Sequence, residues 1–301
     1  MDVSIIIVNY NTLELTKNTI NSVIEKTQGI KYEIILVDNA STDGSIEYFK
    51  EKYKGKIIFL KNKENLGFGR ANNKGIEIAK GKYVFLLNSD TLLINNAIKI
   101  LFDYMELNPS VGICGGNLYD IELNPVHSFK KELITLINEF DFLKNRMAKI
   151  FKKKRRLDFN YKNIPLEVGY ITGADMLIRK RVLEKSGNFD DDFFMYYEEV
   201  ELTYRIKKLG YKVMSVPEAK IIHLEGKSSI FEEKKIKMSF ESKYKYFYKI
   251  QREKEIKWGY FISQIKYLSI PTKVNIKKFQ INKEEYRKFQ KWRNEEKLWK
   301  E

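Results

Sequence analysis

Short runs of β-branched and aliphatic residues alternate with longer stretches whose apolar positions recur three and four apart. The runs lie at residues 3–8, 33–37, 56–60, 83–87 and 111–114. Their shortness and mostly apolar content predict strands of a sheet covered on both faces. Between them, residues 13–26, 45–53, 71–79 and 97–107 carry helical spacing. Strand and helix in strict succession predict an α/β fold: a Rossmann-like, mostly parallel sheet with helices on both faces.

The alternation lapses between about residues 119 and 167, where Lys152-Lys153-Lys154-Arg155-Arg156 forms a basic block. A loop and helix excursion is expected there. Order returns with strand-like residues 168–171 and 176–178, a helix over 198–209, and strands over 211–216 and 220–224. From Ser228 the chain reads as long helices mixing Lys with Phe, Tyr and Trp.

The 301 residues are 43% apolar and 14% aromatic, which excludes a disordered or collagen-like chain. Cys114 is the single cysteine and follows Val111-Gly112-Ile113, so a buried small hydrophobe is expected rather than a nucleophile. No disulfide framework can form, which suits a reducing compartment. With no basic leader and no apolar run long enough to span a bilayer, a cytoplasmic protein is expected. The net charge of +15 favours anionic partners: nucleic acid, an anionic membrane face or phosphate-bearing substrates.

In open α/β sheets ligands bind beyond the carboxyl ends of the strands, so the polar residues just past each apolar run carry the information. They are Asn9-Tyr10-Asn11, then Asp38-Asn39-Ala40-Ser41-Thr42-Asp43-Gly44, then Asn88-Ser89-Asp90-Thr91. Any one alone is ordinary turn and capping chemistry. Three on one sheet edge place Asp38 and Asp90 on a common rim. A carboxylate at Asp38 can accept the imide N–H of a pyrimidine base. A carboxylate at Asp90 can hold a hard divalent cation while leaving positions for diphosphate and water.

These stretches, with Asn65-Leu66-Gly67-Phe68-Gly69-Arg70-Ala71-Asn72-Asn73, Thr172-Gly173-Ala174-Asp175 and Gly187-Asn188-Phe189-Asp190 through Glu198-Glu199-Val200-Glu201, resemble family 2 glycosyltransferases of the GT-A fold, in particular the bacterial rhamnosyltransferase-like branch. The resemblance implies a GT-A catalytic domain over 1–228, with a nucleotide-sugar half at about 1–116 and an acceptor half at about 165–228, followed by a helical region over 229–301. It implies an inverting transfer from a dTDP- or UDP-linked sugar, with rhamnose from dTDP-rhamnose favoured, to a saccharide or lipid-linked saccharide of cell-surface polysaccharide.

The nucleotide-sugar residues so implied are Asn9, Tyr10, Asn11, Asp38, Asn39, Gly67, Arg70, Asn72, Asn88, Ser89 and Asp90. Asn88 stands where the family's metal motif often has Asp. Mg2+ or Mn2+ would be held by Asp90 and His223. The acceptor residues are Thr172, Gly173, Ala174, Asp175 and Glu201. The family's catalytic pair falls on Glu198 and Glu199, with Glu199 as the base although Asp is usual there. Read without the resemblance, the acidic run only suits the dipole of a helix start, and Glu201 stands four residues before Arg205.

In the tail, Phe231, Ile236, Phe240, Tyr244 and Phe247 recur three to five apart among lysines. Packing against the catalytic domain or a second subunit is expected for the first half, and contact with an anionic membrane for residues 258–267. The protein is then peripheral at the inner face of the cell membrane, with a homodimer as a further expectation and no nucleic acid bound.

Two rivals remain. A sugar-nucleotide nucleotidyltransferase calls for a glycine- and arginine-rich loop after the first strand, where Asn9-Tyr10-Asn11-Thr12 stands. A basic nucleic-acid-binding protein predicts steeply salt-dependent binding with no need for Asp38 or Asp90.

Overall fold

The computed structural model describes residues 1–135, 157–224, 232–269 and 272–298. The basic block at 152–156, and Gly226, Ser228 and Phe231, lie outside the described residues. By its internal contacts the chain divides into two units. The first comprises residues 1–133, 157–191 and 202–229. The second comprises 134–156, 192–201 and 230–301.

The first unit opens with β1 (Val3–Asn9), α1 (Leu13–Lys26), β2 (Tyr32–Asp38), α2 (Ser45–Lys52), β3 (Ile58–Lys61), α3 (Phe68–Ile78) and β4 (Tyr83–Asn88). It continues through β5 (Thr91–Leu93), α4 (Ala97–Leu107), β6 (Val111–Tyr119) and β7 (Phe129–Lys130). After the excursion come β8 (Leu166–Glu167), β9 (Tyr170–Ile171), β10 (Asp175–Arg179) and α5 (Lys180–Ser186), then α6 (Glu198–Lys208), of which residues 198–201 belong to the second unit, and β11 (Lys212–His223).

The main sheet runs β3-β2-β1-β4-β10-β6-β11-β5, with β8 beside β11. Strands β3, β2, β1 and β4 are parallel, as are β6 and β11. Strand β10 enters antiparallel between β4 and β6. The two late strands expected at 211–216 and 220–224 are one strand, β11, whose pairing with β6 shifts register between Ser215 and Lys220. Pro217 and Glu218 interrupt the apolar pattern there without ending the strand.

Alternation along β1 explains why the sheet must be covered twice. Ile5 and Ile7 join Ile20 and Val23 of α1, Phe49 of α2 and Leu101 of α4 in one core. Ile6 joins Ala71 and Ile76 of α3, Val182 of α5 and Ile206 of α6 in the other. Successive side chains leave a strand on opposite sides, so an all-apolar strand needs helices on both. Cys114 is free and buried in the first core, and burial pushes its thiol well up.

Arg179 closes the middle of the sheet. Buried at the end of β10, it donates from Nη1 to Tyr83 Oη at 2.8 Å and from Nη2 to the Met105 carbonyl at 2.8 Å. A guanidinium against the last carbonyls of α4 satisfies groups the helix cannot satisfy itself.

In the second unit α7 (Glu232–Lys249), α8 (Glu253–Leu268) and α9 (Lys273–Leu298) pack through aromatic rings. Tyr260 stacks on Tyr286 with centroids 4.1 Å apart, and Tyr244 lies edge-on to Tyr286 at 5.4 Å. On α7, Phe240, Tyr244 and Phe247 are buried; Phe240 meets Tyr267 of α8, and Tyr244 meets Tyr286 and Phe289 of α9.

Candidate active site

Parallel pairing sets the first three strand ends abreast. Asn9 is opposite Asp38 and Val8 is opposite Asn88, so the residues after β1, β2 and β4 share one rim. Asn9 is the centre of this arrangement. Its Nδ2 donates to Asp38 Oδ2 at 2.7 Å and to Ser41 Oγ at 2.9 Å. Its Oδ1 accepts from Thr12 Oγ1 at 2.9 Å and Thr16 Oγ1 at 2.7 Å. Asp38 Oδ1 accepts the Ser41 N–H at 2.9 Å.

Asn9 and Asp38 are fully buried, so they shape the loops after β1 and β2 from behind rather than face the rim directly. Those loops carry left-handed backbone at Asn11 (φ 54) and Ala40 (φ 67). Asn11 Oδ1 accepts the Thr42 N–H at 2.7 Å, tying the two loops together. Tyr10 stands exposed at their edge.

Asn39 is a positioning residue as well. Its Nδ2 donates to Asn65 Oδ1 at 2.8 Å and the Gly67 carbonyl at 3.2 Å, and its Oδ1 accepts from Asn62 Nδ2 and the Leu66 N–H, both at 3.0 Å. All its side-chain hydrogen bonds fix the turn that precedes α3. Gly67 caps that helix at φ 82, a conformation that favours glycine. Asn72, read as a donor contact, is instead buried with Nδ2 on the Phe68 carbonyl at 3.0 Å. Arg70 sits half-buried in the first turn of α3 with its Nε shielded from solvent.

The segment after β4 is clamped from three sides. Thr19 Oγ1 shares its proton between the carbonyls of Ser89 at 2.9 Å and Thr91 at 2.8 Å, and Thr12 Oγ1 lies 3.2 Å from Ser89 Oγ. The Asn88 N–H donates to the Ala174 carbonyl at 3.0 Å. Pairing of β5 with β11 sets His223 opposite Thr91 and brings its Nε2 to 3.3 Å from Asp90 Oδ1.

Asp90 and His223 fit a divalent cation as partial ligands. They supply one anionic oxygen donor and one imidazole, each still partly open to solvent. Among the described residues no group of three His, Cys, Asp or Glu forms a complete protein cage. That donor set suits an ion that completes its shell with substrate phosphates and water.

The residues read as acceptor contacts divide. Thr172 and Gly173 are half-buried, and Ala174 is buried and tethers Asn88. Asp175 faces inward instead: its Oδ2 accepts the Gly116 N–H at 2.6 Å, and Oδ1 has no hydrogen-bond partner. Burial pushes its carboxyl well above the usual range, and it lies in the core rather than at a surface an acceptor would touch.

Glu198, Glu199 and Glu201 belong to the second unit. Two consecutive left-handed residues, Tyr196 (φ 71) and Tyr197 (φ 67), lead into α6. Non-glycine residues in this region cost free energy and persist where surroundings hold them. Helix α7 does so: Ser242 Oγ donates to the Met195 carbonyl at 2.8 Å, Lys245 Nζ donates to the Asp192 carbonyl at 2.9 Å, and Tyr246 packs on Tyr197.

Glu198 is buried and Glu199 half-buried, and each Oε2 is shielded from solvent without a hydrogen-bond partner. Burial pushes Glu199 up to about 7. Burial and the neighbouring Glu199 charge push Glu198 well above the carboxylate range. The two carboxyls thus hold their protons more tightly than free carboxylates do, and Glu199 loses its own in the range where a proton acceptor is useful. Glu201 is buried, with its N–H on the Tyr197 carbonyl at 2.9 Å, which removes it from the surface an acceptor would touch.

Thr12, Thr16, Thr19 and Ser41 were not among the expected site residues, yet they hold both the Asn9 and the Ser89 segments. The signal was present: threonines at positions 12, 16 and 19 fall on the inward face of an otherwise amphipathic helix, at spacings of four and three.

A model of the family described as glycosyl transferase family 2 matches residues 4–187. An uncharacterized glycosyltransferase of Methanocaldococcus jannaschii is 35% identical over 40% of this chain and 43% of its own length. An N-acetylglucosaminyl-diphospho-decaprenol L-rhamnosyltransferase of Mycobacterium tuberculosis is 27% identical over 65% of this chain and 67% of its own. A poly(ribitol-phosphate) β-N-acetylglucosaminyltransferase of Staphylococcus aureus is 30% identical over 66% and 64%. The chain thus spans less than half of the first relative and about two thirds of the others.

Two solved structures share the fold at low identity. A Pyrobaculum calidifontis mannosyltransferase in complex with GDP-Man and Mn2+ aligns with TM-score 0.56 at 16% identity, over 94% of this chain and 73% of that one. GalNAc-T7 with UDP, GalNAc and Mn2+ aligns with TM-score 0.60 at 18% identity, over 94% and 54%. The architecture is that of the GT-A glycosyltransferases.

Proposed function

We infer, for a chain that belongs to glycosyl transferase family 2, that it transfers a sugar from a nucleotide-diphosphate donor to a saccharide hydroxyl with inversion at the anomeric carbon. The observation that carries this reading is the pairing of Asp90 with His223 at 3.3 Å on the rim where β1, β2 and β4 end. Tyr10, Asn11 and the loop held by Asp38 offer the surface for the base. The Gly67 turn and Arg70, at the start of α3, suit the diphosphate, since a helix N-terminus and a guanidinium both favour anions.

Asp90 and His223 would hold Mg2+ or Mn2+. Such an ion, when bound, neutralises charge on the departing diphosphate. Glu199 supplies the base. Its carboxylate takes the acceptor hydroxyl proton as that oxygen bonds to the anomeric carbon and the bond to diphosphate breaks on the opposite face. A value of about 7 matches this work, because the base is then deprotonated in useful amount and still basic enough to accept. Burial and the neighbouring Glu199 charge raise Glu198, which disfavours a second negative charge beside the base.

The M. tuberculosis relative is by name a rhamnosyltransferase acting on a lipid-linked N-acetylglucosaminyl diphosphate. On that likeness dTDP-rhamnose is the first donor to test, UDP-sugars the comparison, and a lipid-linked saccharide of cell-surface polysaccharide the acceptor. The reaction then takes place at the cytoplasmic side of a membrane.

The test has two parts. Nucleotide sugars are screened by thermal shift, since a bound donor raises apparent stability with occupancy. Donor hydrolysis and transfer with Mg2+ or Mn2+ are then compared between wild type and Glu199→Gln. Equal turnover of the two would remove Glu199 as the base.

A further inference from the structure

Helix α8 leaves an apolar stripe uncovered. Trp258 is 61% exposed, Phe261 55%, Ile265 48% and Leu268 58%. At 3.6 residues per turn these four, with Lys254 and Lys257, fall within an arc of roughly 100° along about 21 Å of helix. The opposite face is buried through Ile256, Gly259, Ile262 and Ser263. Val274 and Ile276 add exposed apolar surface at the start of α9. Singly exposed apolar residues are ordinary, but six large ones concentrated on two successive helices are not.

Charge says what covers them. Between residues 254 and 278 there are six lysines, at 254, 257, 266, 273, 277 and 278, against one acid, Glu255, and of these lysines Lys277 is paired with Glu233 at 2.5 Å. Glu255 is held by Arg252 at 2.9 Å. Lys254 and Lys257 lie along the stripe and Lys273 lies beyond its end, all exposed. A second copy docking through the same face would bring this cationic surface onto itself, which disfavours a symmetric dimer there. An anionic bilayer meets both demands at once. It takes Trp and Phe at the headgroup level while lysines bind the lipid phosphates. No helix among the described residues is long and apolar enough to cross a membrane, so the contact is with the surface.

We propose that the exposed face of α8 and the start of α9 form a docking surface for an anionic lipid bilayer, with Trp258, Phe261, Ile265 and Leu268 inserting and Lys254, Lys257 and Lys273 binding headgroups. The proposal does not rest on the catalytic reading, because its probe is lipid alone.

The experiment is co-sedimentation of the full chain with vesicles of pure phosphatidylcholine and of 70:30 phosphatidylcholine to phosphatidylglycerol, alongside light scattering of the lipid-free protein. The chain is expected to partition onto the anionic vesicles only, more weakly at high salt. Lys254→Glu with Lys257→Glu is expected to lower partitioning about fivefold or more per position. Trp258→Ser with Phe261→Ser is expected to lower it about tenfold. These side chains are exposed, and unchanged thermal midpoints check that the variants fold. Equal binding to neutral and anionic vesicles, or unchanged partitioning of both double variants, overturns the proposal. So does a lipid-free dimer that the Trp258 and Phe261 changes dissociate, which would assign the face to a second copy.

Discussion

His223 Nε2 lies 3.3 Å from Asp90 Oδ1, two residues far apart in the chain that the β5 to β11 pairing brings together. The contact is built into the sheet, because the Leu224 N–H also donates to the Asp90 carbonyl at 2.9 Å. Replacing either side chain is therefore expected to change ion use without unravelling the strand pair. His223→Ala and Asp90→Asn should each lower divalent-ion affinity or activity about 10- to 100-fold, the range seen when a ligand's surroundings are disturbed. Donor turnover across a Mn2+ titration checks this, and a thermal midpoint close to wild type separates it from unfolding.

On the proposal that Glu199 is the base, its carboxyl sets the sign of the pH dependence. With that carboxyl raised to about 7, turnover should rise with pH up to about 7 and level above it as Glu199 loses its proton. Glu199→Gln should remove that limb together with most of the activity.

Stability runs the other way. Folding favours the protonated form, so the contribution is complete below the ordinary value of 4.5 and is lost as pH rises through about 7. Glu199→Gln should thus gain stability relative to wild type at pH 8 and show little or no gain at pH 4. Denaturant titrations at the two pH values measure the difference.

Asn9→Ala is expected to be costly despite the small change in volume. It leaves Asp38 Oδ2 and the Thr16 hydroxyl, both buried, short of a partner. One buried polar group left unsatisfied costs about 1–3 kcal/mol, so a loss of at least about 2 kcal/mol in a urea titration is expected. The donor-induced thermal shift should shrink with it, since the loops after β1 and β2 lose their tie.

Gly75 tests how closely α3 lies on the sheet. A Cβ there would stand 2.6 Å from Ile6 Cγ2. Gly75→Ala should cost about 1–3 kcal/mol by overpacking, although alanine is the better helix former. Combined with Ile6→Ala, which vacates the space, the loss should be smaller than the sum of the two single changes.

The succession of strands and helices was legible because both faces of the sheet are covered, which makes β1, β2 and β4 continuous apolar runs. The rim was legible for the same reason: polar residues at 9, 38 and 88–90 stand out where those runs stop. What spacing could not show is the direction of each side chain at the rim. Asn39, Asn72 and Asp175 have the residue types of ligand contacts, yet all three turn inward to hold backbone. Strand β5 is not legible because three residues carry no period, and it is β5 that delivers His223 to Asp90. The resemblance to known glycosyltransferases, rather than periodicity, drew attention to Glu198 and Glu199.

Strand β6 pairs with β10 on one side and β11 on the other, and both are later in the chain. A ribosome making this protein finishes Val111–Tyr119 well before residue 175 appears, and longer still before residue 212. At ordinary rates of synthesis, several seconds or more pass with an apolar, glycine-containing strand open along both edges. Such a strand pairs readily with whatever it meets. The nascent chain is thus expected to be a client of holding chaperones until β10 and β11 emerge, and slowed translation across residues 120–175 to lower the soluble yield of a protein in whose finished sheet β6 has a partner on each side.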